Sequence, residues 1–204
     1  MKRRIEKTVY VFDSIDQPAE IYNSEVKESQ KHKSVFDWVS SIMAAFVVIF
    51  LIFAFAFRVV QVSGESMTKT LDNGDWLLVS NIENDIRFGD IVVADSPNYD
   101  GGPVIKRVIG VEGDEIFIDY DKGVVYVNGE ILEEPYAKTL TTKRYDIEFP
   151  VTVPDDCVFL MGDNRNGSLD SRSTKIGMVD EKYVLGRVLM RVFPFEEIEY
   201  INLR

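Results

Sequence analysis

The chain has 204 residues, room for one domain of ordinary size and one further segment. It carries 34 acidic against 23 basic side chains, a net charge of −11, and residues 58–204 hold 27 of the acids against 16 Lys and Arg. That surplus repels phosphate backbones and opposes a nucleic-acid partner, while a single cysteine excludes an internal disulfide.

Residues 1–33 mix both charge signs with few apolar clusters besides Val9–Phe12 and show no helical or strand period. This composition predicts a cytoplasmic tail over 1–34, largely unstructured in isolation. From Trp38 to Phe57 twenty consecutive residues carry no charge. At about 1.5 Å per residue such a run crosses a hydrocarbon core of about 30 Å, so one transmembrane helix is predicted within 35–58. Lys27, Lys31 and Lys33 crowd its N-terminal flank, whereas Arg58 stands alone on the other side until Lys69. Cations near a span stay in the cytoplasm, which predicts a single-pass protein of the cell membrane with residues 59–204 outside. A cleaved signal peptide is the rival reading, but the polar stretch before the run is far longer than a normal leading region.

Beyond the span, short β-branched and aromatic runs alternate with Gly, Asn and Asp. They fall at Trp76–Val79, Asp90–Ala94, Val104–Ile109, Glu115–Asp119, Val124–Val127, Val158–Met161 and Val184–Val192. Their spacing predicts a mainly β, antiparallel domain over 59–204. Asn128-Gly129 suits a type I′ hairpin turn, since both residues tolerate positive φ. Cys157 opens an apolar run and is expected as a small core residue.

Two residues in this β domain offer covalent chemistry. Ser66 leaves the alternating stretch Val59–Val62 beside Gly64, a residue that lets the backbone turn sharply. The only histidine, His32, precedes the span, on the opposite side of the membrane from Ser66, which excludes a Ser-His-Asp triad there. Lys106 is the alternative base. In a strand it shares one face with Val104 and Val108, where desolvation lowers its pKa from about 10.4 toward about 7–8. The plain alternatives are a surface turn at Ser66 and a lysine whose stem packs while its head reaches water. A third stretch, Met161–Arg172, is dense in polar side chains after an apolar strand; it fits either a solvated loop or a polar base under a site, with Asp170 and Arg172 paired and Ser168 able to orient an amine.

Taken together, these stretches resemble the type I signal peptidase family, membrane-bound serine-lysine proteases that remove signal peptides. The resemblance runs through Ser66-Met67 with Thr70-Leu71, Gly89–Val92, Lys106–Gly110 with Gly113-Asp114, and Gly162–Arg165 with Ser168, Asp170, Ser171 and Arg172. It implies Ser66 as nucleophile, Lys106 as general base, Ser168 as the hydroxyl orienting that lysine, and Asp170, Arg172 and Asp163 as support. Ser66 and Gly64 are the candidate oxyanion site, Met67 is a candidate substrate contact by its adjacency to the serine, and with no metal cluster or nucleotide-binding glycine loop in the sequence neither a metal nor a cofactor is expected. Secretory preproteins cut after small residues at A-x-A-like sites, together with membrane lipid, are the expected partners of a monomer.

Lys69 and Glu112 stand where the pattern has proline, and Asn166-Gly167 replaces Asp-Asn. Gly64 stands where some relatives have a serine, so the oxyanion would rest on backbone donors such as the Ser66 N–H. Ser66–Lys69 is formally S-x-x-K, the motif of penicillin-binding proteins, but Thr70–Asp75 reads as a turn and no Ser-Asp-Asn or Lys-Thr-Gly element follows. A non-catalytic assembly factor on the same platform would be expected to lack the serine or the lysine. A self-cleaving repressor peptidase would need a DNA-binding domain.

Overall fold

The computed structural model describes residues 19–82 and 85–201, and the chain divides into two compact units, Met1–Leu51 and Ile52–Arg204. Helix α1 runs over Ala19–Ala56, so it begins well before the predicted span. The reading of 1–34 as unstructured is corrected for residues 19–34, and residues 1–18 lie outside the described part. The physical reason is propagation: once a long apolar helix exists, each added upstream residue gains a hydrogen bond without paying for nucleation. Within α1, Val35–Ala56 has a mean hydropathy of 2.7 and is long and apolar enough to cross a membrane.

Strand β1 (Phe57–Gln61) follows directly, two residues before the predicted domain start. The remaining strands are β2 (Trp76–Ser80), β3 (Ile91–Ala94), β4 (Val104–Gly110), β5 (Glu115–Asp119), β6 (Val124–Val127), β7 (Glu130–Ile131), β8 (Val151–Thr152), β9 (Cys157–Met161), β10 (Val179–Asp180), β11 (Val184–Phe193) and β12 (Glu199–Tyr200). All pairings are antiparallel. The larger sheet has the order β1-β2-β11-β3-β4-β9-β10 with β12 on β11, and the smaller the order β7-β6-β5-β8. Asn128 and Gly129 turn at φ 53° and 81° between β6 and β7, as their sequence predicts.

The apolar runs are continuous because both faces of the large sheet are buried. In β3, Ile91 and Val93 enter one core with Met67, Leu71, Leu77 and Val188, while Val92 and Ala94 enter a second with Val108, Val158, Leu160 and Ile176. In β9, Val158 and Leu160 join that second core, whereas Phe159 and Met161 face a third built on the small sheet from Ile109, Ile116, Val125 and Val153. Cys157 packs at the edge of this third core. Strands β4 and β9 are thus fixed from two sides, and the polar loop after β9 inherits that fixity.

Candidate active site

Ser66 stands at the start of a tight turn. Gly64 adopts φ 98° and donates its N–H to Asn73 Oδ1 at 2.9 Å. Thr70 and Leu71 then donate to Met67 O at 3.0 and 2.9 Å. Met67 and Leu71, four apart, both insert into the first core and pin the turn, which leaves Ser66 half-buried above them. The loop after β9 grips the turn from below: Asn164 donates its N–H to Ser66 O and its Nδ2 to Glu65 O, both at 3.0 Å. Gly162 makes that approach possible, because a Cβ there would lie 2.5 Å from Ser66 O and 2.3 Å from Ser168 Oγ. Among the described residues the Ser66 N–H has no protein acceptor.

Lys106 lies on β4 opposite Val92, with Val104 and Val108 on its own face in contact with the second core. It is only 4% exposed. Its Nζ is hydrogen bonded to Ser66 Oγ at 2.8 Å and donates to Ile105 O at 3.0 Å. Burial lowers its pKa from 10.5 to about 8, against the opposing pull of Asp170 and Asp163. The charges beneath it explain why burial prevails. Arg107 forks onto Asp163 at 2.9 and 2.7 Å, Arg172 forks onto Asp170 at 2.8 and 2.8 Å, and Arg165 meets Glu134 at 2.5 Å. Each carboxylate already has its own guanidinium, so a Lys106 cation would be a surplus charge in a desolvated cluster.

Asp163 and Asp170 do more than balance charge. Asp163 accepts from Thr70 Oγ1 at 2.6 Å, which ties the serine turn to the strand carrying Lys106. Asp170 accepts from the Gly162 N–H at 3.1 Å, and Arg172 Nη2 donates to Arg165 O at 2.6 Å. Ser168 is buried at this base, but its Oγ has no partner among the described residues; its carbonyl accepts from Tyr145 OH at 2.5 Å. The second bond of the Lys106 amine goes to its own strand instead. Met67 does not line the cleft: it is 1% exposed and packs in the first core. Lys69 is exposed, at φ 99°, with its Nζ directed at Pro135 O and Ala137 O, so no helical turn brings it back onto Ser66 as an S-x-x-K motif requires.

Ser66 and Lys106 open onto a cleft of about 420 Å³ between the Gln61–Glu65 segment and the start of β4, with Tyr99 and Leu169 on its walls. Strand β9 pairs with β4 only from Arg107 onward, so the β4 edge at Val104–Lys106 has no β9 partner. The sequence reading did not assign Gly162, Asn164, Thr70 or Arg107. All four fall inside the motif stretches, but their roles depend on contacts between segments far apart in the chain. Among the described residues no three His, Cys, Asp or Glu side chains group as a metal site.

The family profile described as signal peptidase, peptidase S26 matches residues 35–193. The chain is similar to signal peptidase I of Bacillus licheniformis, 37% identical over 185 residues that cover 86% of this chain and 97% of that one. It is 34% identical to signal peptidase I P of Bacillus subtilis subsp. natto over 85% and 97% of the two chains. With signal peptidase IB of Staphylococcus aureus (strain MRSA252) it shares 33% identity over 82% and 94%. A crystal structure of a signal peptidase I from Enterococcus faecalis V583 is 30% identical, covers 50% of this chain and 96% of that one, and gives a TM-score of 0.42. With a match that runs from the apolar helix through β11 and relatives aligned over nearly their whole length, the chain belongs to the signal peptidase, peptidase S26, family.

Proposed function

We propose that this protein is a membrane-anchored endopeptidase that removes signal peptides from secreted preproteins with a Ser66-Lys106 dyad. The observation that carries the reading is the 2.8 Å hydrogen bond between the Ser66 hydroxyl and a lysine amine whose pKa burial lowers to about 8. The preprotein lies extended in the cleft and adds its backbone to the open edge of β4 at Val104–Lys106, which supplies affinity independent of side chains. Tyr99 and Leu169 wall the cleft where the small side chains of an A-x-A-like site would lie.

Neutral Lys106 takes the Ser66 proton as Oγ attacks the scissile carbonyl. The Ser66 N–H stabilises the oxyanion, and Gly64 contributes backbone freedom in place of a side-chain donor. Protonated Lys106 passes its proton to the leaving amine, then activates the water that hydrolyses the acyl-enzyme. The Ser168 hydroxyl, buried at the base of the site with no partner among the described residues, is the group that would take up the Lys106 amine during turnover, and Asp163, Asp170 and Arg172 hold that base rigid. Residues 59–204 work outside the cytoplasm and the N-terminus remains inside, in keeping with the Lys27, Lys31 and Lys33 flank. Holding enzyme and preprotein in one bilayer raises their effective concentration.

The test is incubation of the full chain with a preprotein in detergent or lipid, with the new N-terminus read by mass spectrometry. One new N-terminus after a small residue is expected. An intact preprotein, or cuts scattered along its length, would remove the proposal.

A further inference from the structure

Lys69 occupies φ 99°, where side chains other than Gly, Asn and Asp are rare, and its Nζ crosses 66 residues of sequence to reach Pro135 O at 2.5 Å and Ala137 O at 3.2 Å. The residue between those carbonyls, Tyr136, lays its ring over the Arg107 guanidinium at 4.1 Å. Arg107 forks onto Asp163, and Asp163 accepts from Thr70, the residue after Lys69. These contacts close a ring through residues 69, 135–137, 107, 163 and 70. The Tyr136 loop is tied in once more where Lys138 N donates to Asp163 O at 2.8 Å. Ser66 is attached to one side of the ring through its turn, and Lys106 to the other as the neighbour of Arg107.

We propose that Lys69 is a positioning residue for the dyad, clamping the serine turn to the loop around Tyr136 so that Ser66 Oγ and Lys106 Nζ keep their separation. The inference rests on the Ser66-Lys106 reading of the site. The Lys69 amine is directed at these two carbonyls and at neither Ser66 nor Lys106.

Three variants of the full chain in detergent test this. Lys69→Met keeps the stem and loses the donors, so kcat is expected to fall about tenfold with KM unchanged, because a small misplacement of reacting groups acts on rate rather than on binding. The pH at which the acid limb is half-lost should not move. Lys69→Gly takes φ 99° freely, so it should lose kcat equally without a drop in melting temperature. Lys69→Arg keeps donors on a long stem and should recover most of the rate. Independently of turnover, hydrogen exchange at the Thr70 and Leu71 amides should quicken in the Met and Gly variants. Wild-type kcat and wild-type exchange in Lys69→Gly would overturn the clamp, and a displaced acid limb in Lys69→Met would overturn it by making Lys69 the base. If exchange responds as expected while the wild-type chain leaves a preprotein uncut, the clamp stands and the serine-lysine reading falls.

Discussion

Burial pulls the Lys106 amine from 10.5 to about 8, and a general base works only when neutral. Cleavage by the proposed mechanism should therefore rise about tenfold per pH unit on the acid side and level off above about 8. A rate flat down to pH 5 would sink the lysine base. Ser66→Ala should abolish cleavage, and Lys106→Ala should lower kcat by about a thousandfold or more. The same shift has a consequence for stability. The unfolded chain keeps the Lys106 proton up to 10.5 and the folded chain only to about 8, so folding gains stability as pH rises between those values. Below pH 8 the full cost applies, about 3 kcal/mol at 1.36 kcal/mol per pH unit. Lys106→Met should accordingly raise the melting temperature at pH 7, with the gain shrinking toward pH 10.5; calorimetry showing one constant gain would rule out burial of the charge as its cause. Lys69 supplies a further residue-scale expectation: proline, although common at that place in the resembling pattern, fixes φ near −65° and cannot take 99°, so Lys69→Pro should lower the melting temperature where Lys69→Gly does not.

The element that organises the site is β9 with the loop that leaves it. Gly162→Ala would set a Cβ 2.5 Å from the Ser66 carbonyl, a main-chain atom that cannot rotate away. Cleavage should drop about a hundredfold while circular dichroism stays that of the parent chain; near-normal activity would mean that the turn is not seated on Gly162. Asp163→Asn removes the charge from a fully buried carboxylate and leaves Arg107 without its ion pair, a change that costs about 3–5 kcal/mol in comparable settings. At this scale the sequence was informative for strands, because the runs in β3, β4, β5, β6, β9 and β11 are β-branched and bounded by turn residues. It was less informative for β7, β8, β10 and β12, each of two residues, where pairing partners rather than local pattern define the strand. Helix α1 exceeds its predicted span because charged, polar residues carry no mark of whether a neighbouring helix will extend through them.

Over the whole molecule, the chain joins a long apolar helix to a β unit with its own three cores. Residues 57–204, starting at β1, should fold alone and cut a short soluble peptide with kcat near that of the full chain, but should lose rate on a preprotein held in vesicles. Equal rates on the vesicle-bound preprotein would show that the anchor contributes nothing to encounter. The sequence by itself determined the apolar span and the antiparallel β class, and it offered Ser66 with Lys106 as a candidate pair, since periodicity, charge and the scarcity of histidine and cysteine are local or countable properties. Strand alternation also places Lys106 on one face with Val104 and Val108. Only the tertiary structure decided that Met67 is a core anchor rather than a wall of the cleft, that the Lys106 amine bonds Ile105 O while Ser168 Oγ has no partner among the described residues, and that Gly162 and Asn164 seat the serine. Those facts depend on which surfaces meet across a hundred residues of chain. No local pattern encodes such a meeting, because it is set by the packing of both sheet faces at once.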